Sequence, residues 1–375
     1  MLKLPGNLHA EGFLARHWQQ EPLFMPAALP RVRPAITRNE LGWMATLDDV
    51  ESRLVFTRRD EDRLRYRAET GPFEAGYLAA LPARDWTLLV HDVEKHVPAM
   101  RKLFAHVPFI PDWRIDDLMV SFAAPGGGVG PHRDNYDVFL CQGIGQRDWH
   151  VTTDTVAEDP GASDDLALTE DFPGELYAVR EGDVLYLPPG VAHWGTATRA
   201  CMTYSIGMRA PQLSDLLTGL PDTEQVNPFY RDPDLRIEEA VPGYISSRSR
   251  ERAARLVQGE NLDAGQTAEA LGRYVTQTKD WIRPDGASAD EARELIDRLV
   301  AGGKLGVHGM ARIAWDDSNV YVNGACRPRP FDDPGWLESI CATRELDGAR
   351  MAGGESQECG IWMLQMGAFD LPEEL

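Results

Sequence analysis

Between Trp113 and Met208 the apolar residues fall in short runs closed by glycine, proline and acidic turns. The runs Ile115–Phe122, Tyr136–Leu140, Trp149–Thr152, Leu176–Val179, Val184–Leu187 and Met202–Met208 are each of strand length. No long helical pattern separates them, which predicts an antiparallel sandwich or barrel rather than a parallel α/β sheet. Upstream, Phe13-Leu14 and Trp18 stop before Pro22 and give way to Leu23-Phe24-Met25, a short amphipathic helix running into a strand. The acidic stretch Asp154 to Asp171 lacks a pattern and reads as a loop. Past Pro211 the period changes. Three- and four-residue steps recur over Gln212–Leu220, Arg250–Val257, Ala268 to Val275 and Ala289–Leu299, helices suited to a bundle or a dimer interface. From about Gly303, two short strands (Ala311–Trp315, Val320–Val322) and a helix (Pro334–Thr343) predict a small mixed unit of the kind that includes winged helices.

Composition narrows the function classes. At 375 residues the chain calls for two or three domains. No apolar run approaches the roughly 20 residues needed to cross a bilayer, so no membrane role is expected. Pro5 and Gly6 break the N-terminus before an apolar signal segment can form, which favours the cytoplasm. Five scattered cysteines with no CxxC pair do not describe a disulfide framework. The formal charge of −21 repels nucleic-acid phosphate and attracts basic partners, so a positively charged protein substrate fits and no direct nucleic-acid contact is expected; the plainer reading of the charge is solubility alone. Residues 301–375 are themselves net −6, against insertion into a DNA groove.

The chemistry concentrates in two motifs. The first is Gly126-Gly127-Gly128-Val129-Gly130-Pro131-His132-Arg133-Asp134-Asn135-Tyr136. In an extended chain His132, Asp134 and Tyr136 share a face, so an imidazole and a carboxylate aim at one point. About sixty residues on, Gly182-Asp183-Val184-Leu185-Tyr186-Leu187-Pro188-Pro189-Gly190-Val191-Ala192-His193 supplies a strand, a tight turn and a second imidazole. Two histidines and one carboxylate on one face of an octahedron leave three positions open, the arrangement of non-haem iron(II) oxygenases. Two of those positions take a bidentate 2-oxoacid and one takes molecular oxygen. HxD alone is common by chance; the pair of motifs is specific.

Around these ligands, Arg147 is the candidate cation for the distal carboxylate of 2-oxoglutarate, alternating in phase with Trp149 just beyond a glycine turn; the plainer reading is a surface arginine paired with Asp148. Ile115, Asp117, Met119 and Ser121 share a face. If it points inward, Ser121 can hydrogen-bond the co-substrate and Asp117 can meet a basic side chain. Thr203 and Ser205 alternate inward on the closing strand. His91, His96, His106 and His150 read as structural or exposed, and Trp194 as packing beside His193.

At these residues the chain resembles the JmjC ribosomal oxygenases, through Pro111 to Met119, Gly126 to Phe139, Asp183 to His193 and Tyr204 to Pro211, with further likeness at Phe13-Leu14, Trp18, Pro22 and Glu51–Val55. The resemblance implies a mainly β chain with α: a double-stranded β-helix (cupin/JmjC) catalytic domain over 1–215, a helical dimerisation region over 216–302 and a winged-helix-like domain over 303–375, in a homodimer. It implies iron on His132, Asp134 and His193, 2-oxoglutarate on Ser121 and Arg147, and a substrate arginine against Asp117, Tyr136 and Ser205. The reaction implied is hydroxylation at the β-carbon of an arginine in a basic large-subunit ribosomal protein. Arg133, between the two first ligands, stands where the family often has an apolar residue. Two rivals stay open: a cupin oxygenase for a histidyl or small-molecule substrate, and a non-catalytic cupin module that binds ribosomes.

Overall fold

The computed structural model describes all residues except 30–35, 61–62, 158–171, 218–226, 259, 261, 280, 282–283, 331–334, 352 and 373–375. The chain forms two compact units, one of Met1–Val107 with Asp116–Met208 and one of Pro108–Ile115 with Arg209–Leu375.

The first unit holds twelve strands: β1 (Leu23–Met25), β2 (Ser52–Asp60), β3 (Arg63–Thr70), β4 (Trp86–Val90), β5 (Ile115–Ala123), β6 (His132–Arg133), β7 (Val138–Ile144), β8 (Gln146–Thr152), β9 (Glu175–Arg180), β10 (Val184–Leu187), β11 (Ala192–Ala197) and β12 (Cys201–Met208). Eight of them pair in the order β1-β10-β7-β12-β5-β4-β2-β3, and the other four in the order β6-β11-β8-β9. Numbered from β5, strands one, eight, three and six make one layer and strands two, seven, four and five the other, which is the double-stranded β-helix. The extra strands β1 and β4-β2-β3 widen the larger layer. Val138, Leu140, Leu185 and Leu187 of that layer meet Trp149, Val151 and Val179 of the smaller one to form the core between them. The alternating burial of β8 follows from this, since Arg147, Trp149 and Val151 point in while Asp148 and His150 point out.

The first ligand motif departs from the extended reading. The strand ends at Arg133, and Asp134 to Asp137 form a bend. The cause is Asp137, fully buried and accepting hydrogen bonds from the Tyr186 hydroxyl at 2.6 Å and the Gln19 amide at 2.8 Å, which draws the chain out of the small layer into the large one. The other expected strands are present, with ends unshifted or moved by up to four residues. Most of the expected loop from Asp154 to Asp171, and the end of the expected helix Gln212–Leu220, lie outside the described residues; the helix is seen over Leu213–Leu216.

In the second unit, helices Ser247–Leu256, Ala264–Thr276 and Ala289–Val300 start on side-chain caps from Ser246, Asp263 and Ser288. A three-stranded sheet (Ile313–Trp315, Asn319–Val322, Ala325–Pro328) and helices Trp336–Thr343 and Gly354–Gln365 follow. Leu295, Ile296 and Leu299 share one core with Val320, Trp336 and Met363, so the third helix packs with the C-terminal sheet. Trp113 packs in a second core with Tyr230 and Leu271. Beside it Arg114 and Asp232 form a fully buried ion pair at 3.0 Å. Removal of either partner would strand a buried charge, at a cost of about 3–5 kcal/mol. Among the described residues no helix is long and apolar enough to cross a membrane.

Candidate metal centre

The two motifs meet because β11 pairs with β6 in a register that sets His193 directly opposite His132. Cross-strand partners point to the same face, so the two rings stand 4.2 Å apart between centroids. A second tie comes from the Pro-Pro-Gly turn, where the Gly190 amide donates to the Asp134 carbonyl at 2.8 Å. Gly190 takes φ +84° there, a conformation a side chain would strain. Asp134 carboxylate oxygens lie 3.8 Å from His132 Nε2 and 3.6 Å from His193 Nε2. Among the described residues these three are the sole histidine, cysteine and carboxylate cluster whose donor atoms all fall within 4.8 Å of one another.

Each imidazole is oriented by its own backbone. His132 Nδ1 lies 3.0 Å from the Gly130 carbonyl and His193 Nδ1 lies 3.0 Å from the Val191 carbonyl. A protonated Nδ1 donating to a carbonyl leaves the Nε2 lone pair for a cation. Burial, reinforced by the neighbouring His132, pushes the His193 imidazole down to about 4, so it is neutral near pH 7. Cis donors ~2.1 Å from a cation lie about 3 Å apart, and small rotamer adjustments close the observed gaps. The donor set of two imidazoles and a carboxylate, with no thiolate, fits iron(II).

Arg147 lies on the same inner face, two cross-strand pairs along from His193, opposite Ala197. Its side chain runs back toward the metal ligands along β11. An added Cβ at Gly195 would come within 2.9 Å of Arg147 Cδ and 2.7 Å of the Trp149 ring, so only glycine admits the arginine there. Arg147 is 3% exposed, its guanidinium sits 5.4 Å from the Trp149 ring centroid, and among the described residues its Nε and Nη2 atoms have no hydrogen-bond partner. A buried unpaired cation is costly, and an anionic group that belongs at the site explains it. Paired with Asp148 it is not, because Asp148 points to the other face. The buried Ser121 lies on β5 opposite Leu89 of β4. Thr87, two residues before Leu89, adds a buried hydroxyl without a partner on that inner face.

At the mouth, Tyr136 is 40% exposed. Its hydroxyl is raised well above the usual tyrosine value, chiefly by the charge of the Asp134 carboxylate, with burial, Asp117 and Asp116 adding to this. Asp117 lies against Gly207, where an added Cβ would come 3.2 Å from its Oδ1 and 3.8 Å from the Tyr136 ring. Ser205, two residues earlier on the inner face of β12, is buried, whereas the Thr203 hydroxyl is taken up by Gln142 at 3.2 Å. Arg133 does not crowd the ligands, since its guanidinium donates to the Val156 carbonyl at 2.8 Å. His150 stacks on Trp194 at 4.0 Å on the outer face, a packing role. The sequence reads His91 as a structural or exposed histidine in a helical stretch. It sits instead in a bend after β4, 3.0 Å from Asp117. Gly195 had a local signal, a glycine inside a strand two residues after a ligand. His91 had none, because its partner lies 26 residues away.

A JmjC domain family model matches residues 102–216. The chain is 32% identical over 326 residues to the ribosomal protein uL16 3-hydroxylase of Escherichia coli, covering 85% of each chain. It is 35% identical over 264 residues to a probable ribosomal oxygenase of Haemophilus influenzae, covering 70% of this chain and 63% of that one. Among solved structures, the X-ray structure of Escherichia coli YcfD aligns with a TM-score of 0.75 at 26% identity, over 98% of this chain and 99% of that one. The same ribosomal oxygenase in complex with cobalt and 2-oxoglutarate aligns with a TM-score of 0.69 at 26% identity, over 99% of both. With its double-stranded β-helix, its facial His-Asp-His cluster and this extent of likeness, the chain belongs to the JmjC-domain ribosomal oxygenase family.

Proposed function

We propose that this protein is an iron(II)- and 2-oxoglutarate-dependent oxygenase that hydroxylates the β-carbon of an arginine in the large-subunit ribosomal protein uL16. The observation that carries the reading is the cross-strand pair His132 and His193 closed by Asp134, with the unpaired guanidinium of Arg147 on the same inner face. In this reading His132, Asp134 and His193 hold the iron, and Arg147 and Ser121 hold 2-oxoglutarate. Iron bound there supplies the redox chemistry that couples decarboxylation of 2-oxoglutarate, to succinate and carbon dioxide, with insertion of one oxygen atom into a C–H bond.

The protein's own contribution is placement. Arg147 grips the distal carboxylate through a planar fork, and the Trp149 ring closes one wall against water. Asp117 and Ser205 meet the substrate guanidinium while Tyr136 lies over it, fixing which carbon faces the metal. The net charge of −21 draws a basic ribosomal protein toward the site. The proposal includes action in the cytoplasm and a homodimer formed through the helical region 216–302, with a winged-helix-like unit over 303–375.

Incubation of the iron-loaded protein with uL16 and 2-oxoglutarate tests the reading by mass spectrometry. The expected result is a gain of one oxygen atom on a single arginine, absent with His132→Ala. A gain on a histidine would favour the histidyl-target alternative, and unchanged 2-oxoglutarate with bound uL16 would favour a non-catalytic module.

A further inference from the structure

The substrate side of the pocket contains a histidine that holds a carboxylate. His91 follows β4 and is anchored there by its backbone amide, which donates to the Glu51 carbonyl at 2.9 Å. Its Nδ1 lies 3.0 Å from Asp117 Oδ2, and the Asp92 amide reaches the same oxygen at 3.4 Å. Two donors on one oxygen fix the plane of the carboxylate. The corner that delivers them is itself rigid: Asp92 takes φ +55° and pairs with the buried Lys95, and the buried Glu94 accepts from the Leu118 amide, adjacent to Asp117, at 2.9 Å. Among the described residues no hydrogen-bond donor reaches the other oxygen, Oδ1, and it faces the gap beside Gly207.

That gap has the shape of a slot. Gly207 forms its floor, since a Cβ there would stand 3.2 Å from Oδ1 and 3.8 Å from the Tyr136 ring. Asp117 forms one side and the Tyr136 ring another. A flat, delocalised cation fits such a space, pairing with Oδ1 at its edge and with the ring through its face, better than the tetrahedral head of a lysine. The carboxylate does this only if its free oxygen is turned into the slot, and the contacts on Oδ2 are what turn it.

We propose that His91 is the positioning residue of the substrate pocket: it holds Asp117 by Oδ2 so that Oδ1 and the Gly207 floor receive a guanidinium. This rests on the reading of Asp117 as a substrate contact. His91 lies outside the His132, Asp134 and His193 cluster and is not one of the residues assigned to 2-oxoglutarate, so its loss acts on recognition of the cation.

Binding of a fluorescein-labelled peptide with one arginine among neutral residues is measured by anisotropy, using the full chain loaded with manganese(II) and 2-oxoglutarate without oxygen. A second peptide carries citrulline, which keeps the shape and removes the charge. His91→Ala is expected to weaken the arginine peptide about tenfold, the scale of one hydrogen bond to a charged group. His91→Asn, whose amide N–H can stand where Nδ1–H stood, is expected to recover most of that loss. The citrulline peptide is expected to bind weakly and alike to all variants. In turnover the loss should fall on the KM for peptide and leave the KM for 2-oxoglutarate unchanged. If His91→Ala binds as tightly as wild type while Asp117→Asn does not, the role of His91 is refuted and the pocket stands. If Asp117→Asn is itself without effect, or the wild type does not distinguish arginine from citrulline, the pocket reading fails and the inference with it. A loss in His91→Ala shared by both peptides and not recovered by asparagine would make His91 merely structural and overturn the proposal.

Discussion

Replacing Arg147 by methionine separates what the fold gains from what the site requires. Arg147 is 3% exposed and two of its three guanidinium nitrogens lack partners among the described residues, so the protein without co-substrate carries the desolvation cost of a buried cation. That cost is several kcal/mol, and the contact with the Trp149 ring, 5.4 Å away, offsets about 1–2 kcal/mol of it. Methionine fills a similar channel along Gly195 with no charge. Arg147→Met should therefore stabilise the co-substrate-free protein by about 1–3 kcal/mol. It should also abolish the response to 2-oxoglutarate. For a wild-type protein holding a divalent metal, 2-oxoglutarate at one hundred times its dissociation constant adds about 2.7 kcal/mol. Differential scanning fluorimetry with manganese(II), with and without 2-oxoglutarate, reads both effects. The reasoning predicts a higher starting Tm and no ligand-induced rise. A variant that melts lower than wild type and still rises with 2-oxoglutarate would refute the view that Arg147 waits for an anion.

Three other outcomes follow from the same geometry. His132→Ala should fold normally, because the ring's one described hydrogen bond is to the Gly130 carbonyl, and should lose most of its bound metal by elemental analysis. Gly195→Ala would set a Cβ 2.7 Å from the Trp149 ring and 2.9 Å from Arg147 Cδ; about 1–3 kcal/mol of stability should be lost, and titration calorimetry should show weaker 2-oxoglutarate binding. Glu94 is pushed up from 4.5 to about 7, chiefly by burial, so the folded chain keeps a proton there that the unfolded chain has released. Between those values stability falls as pH rises, by roughly 3 kcal/mol in all, and Glu94→Gln should flatten that slope in urea titrations from pH 4 to pH 8. A Glu94→Gln chain less stable than wild type at pH 8 would count against this account.

The convergence of His132, Asp134 and His193 was readable because each motif encodes its own local geometry. The glycine run delivers His132, and the Pro-Pro-Gly turn delivers His193 from a strand that must lie beside it. The place of Arg147 on the next strand followed from the glycine turn just before it, again a local matter. What escaped depended on distant partners. The bend after Arg133 is made by Tyr186 and Gln19, which are 49 and 118 residues from Asp137. Strands β2, β3 and β4, which widen the larger layer, left mixed signals in the first hundred residues because one face of β3 is solvated. Pro108–Ile115 groups with the C-terminal unit through Trp113 and the Arg114–Asp232 pair, 118 residues apart in sequence. Helix Ala289–Val300, by contrast, was plain from its apolar period, since Ala292, Leu295, Ile296 and Leu299 alone are buried.

In the proposed reaction one atom of dioxygen enters an arginine side chain as 2-oxoglutarate is consumed at the His132, Asp134 and His193 centre. Turnover of uL16 under isotopically heavy dioxygen, with succinate counted alongside, measures this directly. The prediction is one heavy oxygen on the arginine for each succinate formed. Product oxygen drawn from water, or succinate formed with no oxygen in uL16, would contradict it.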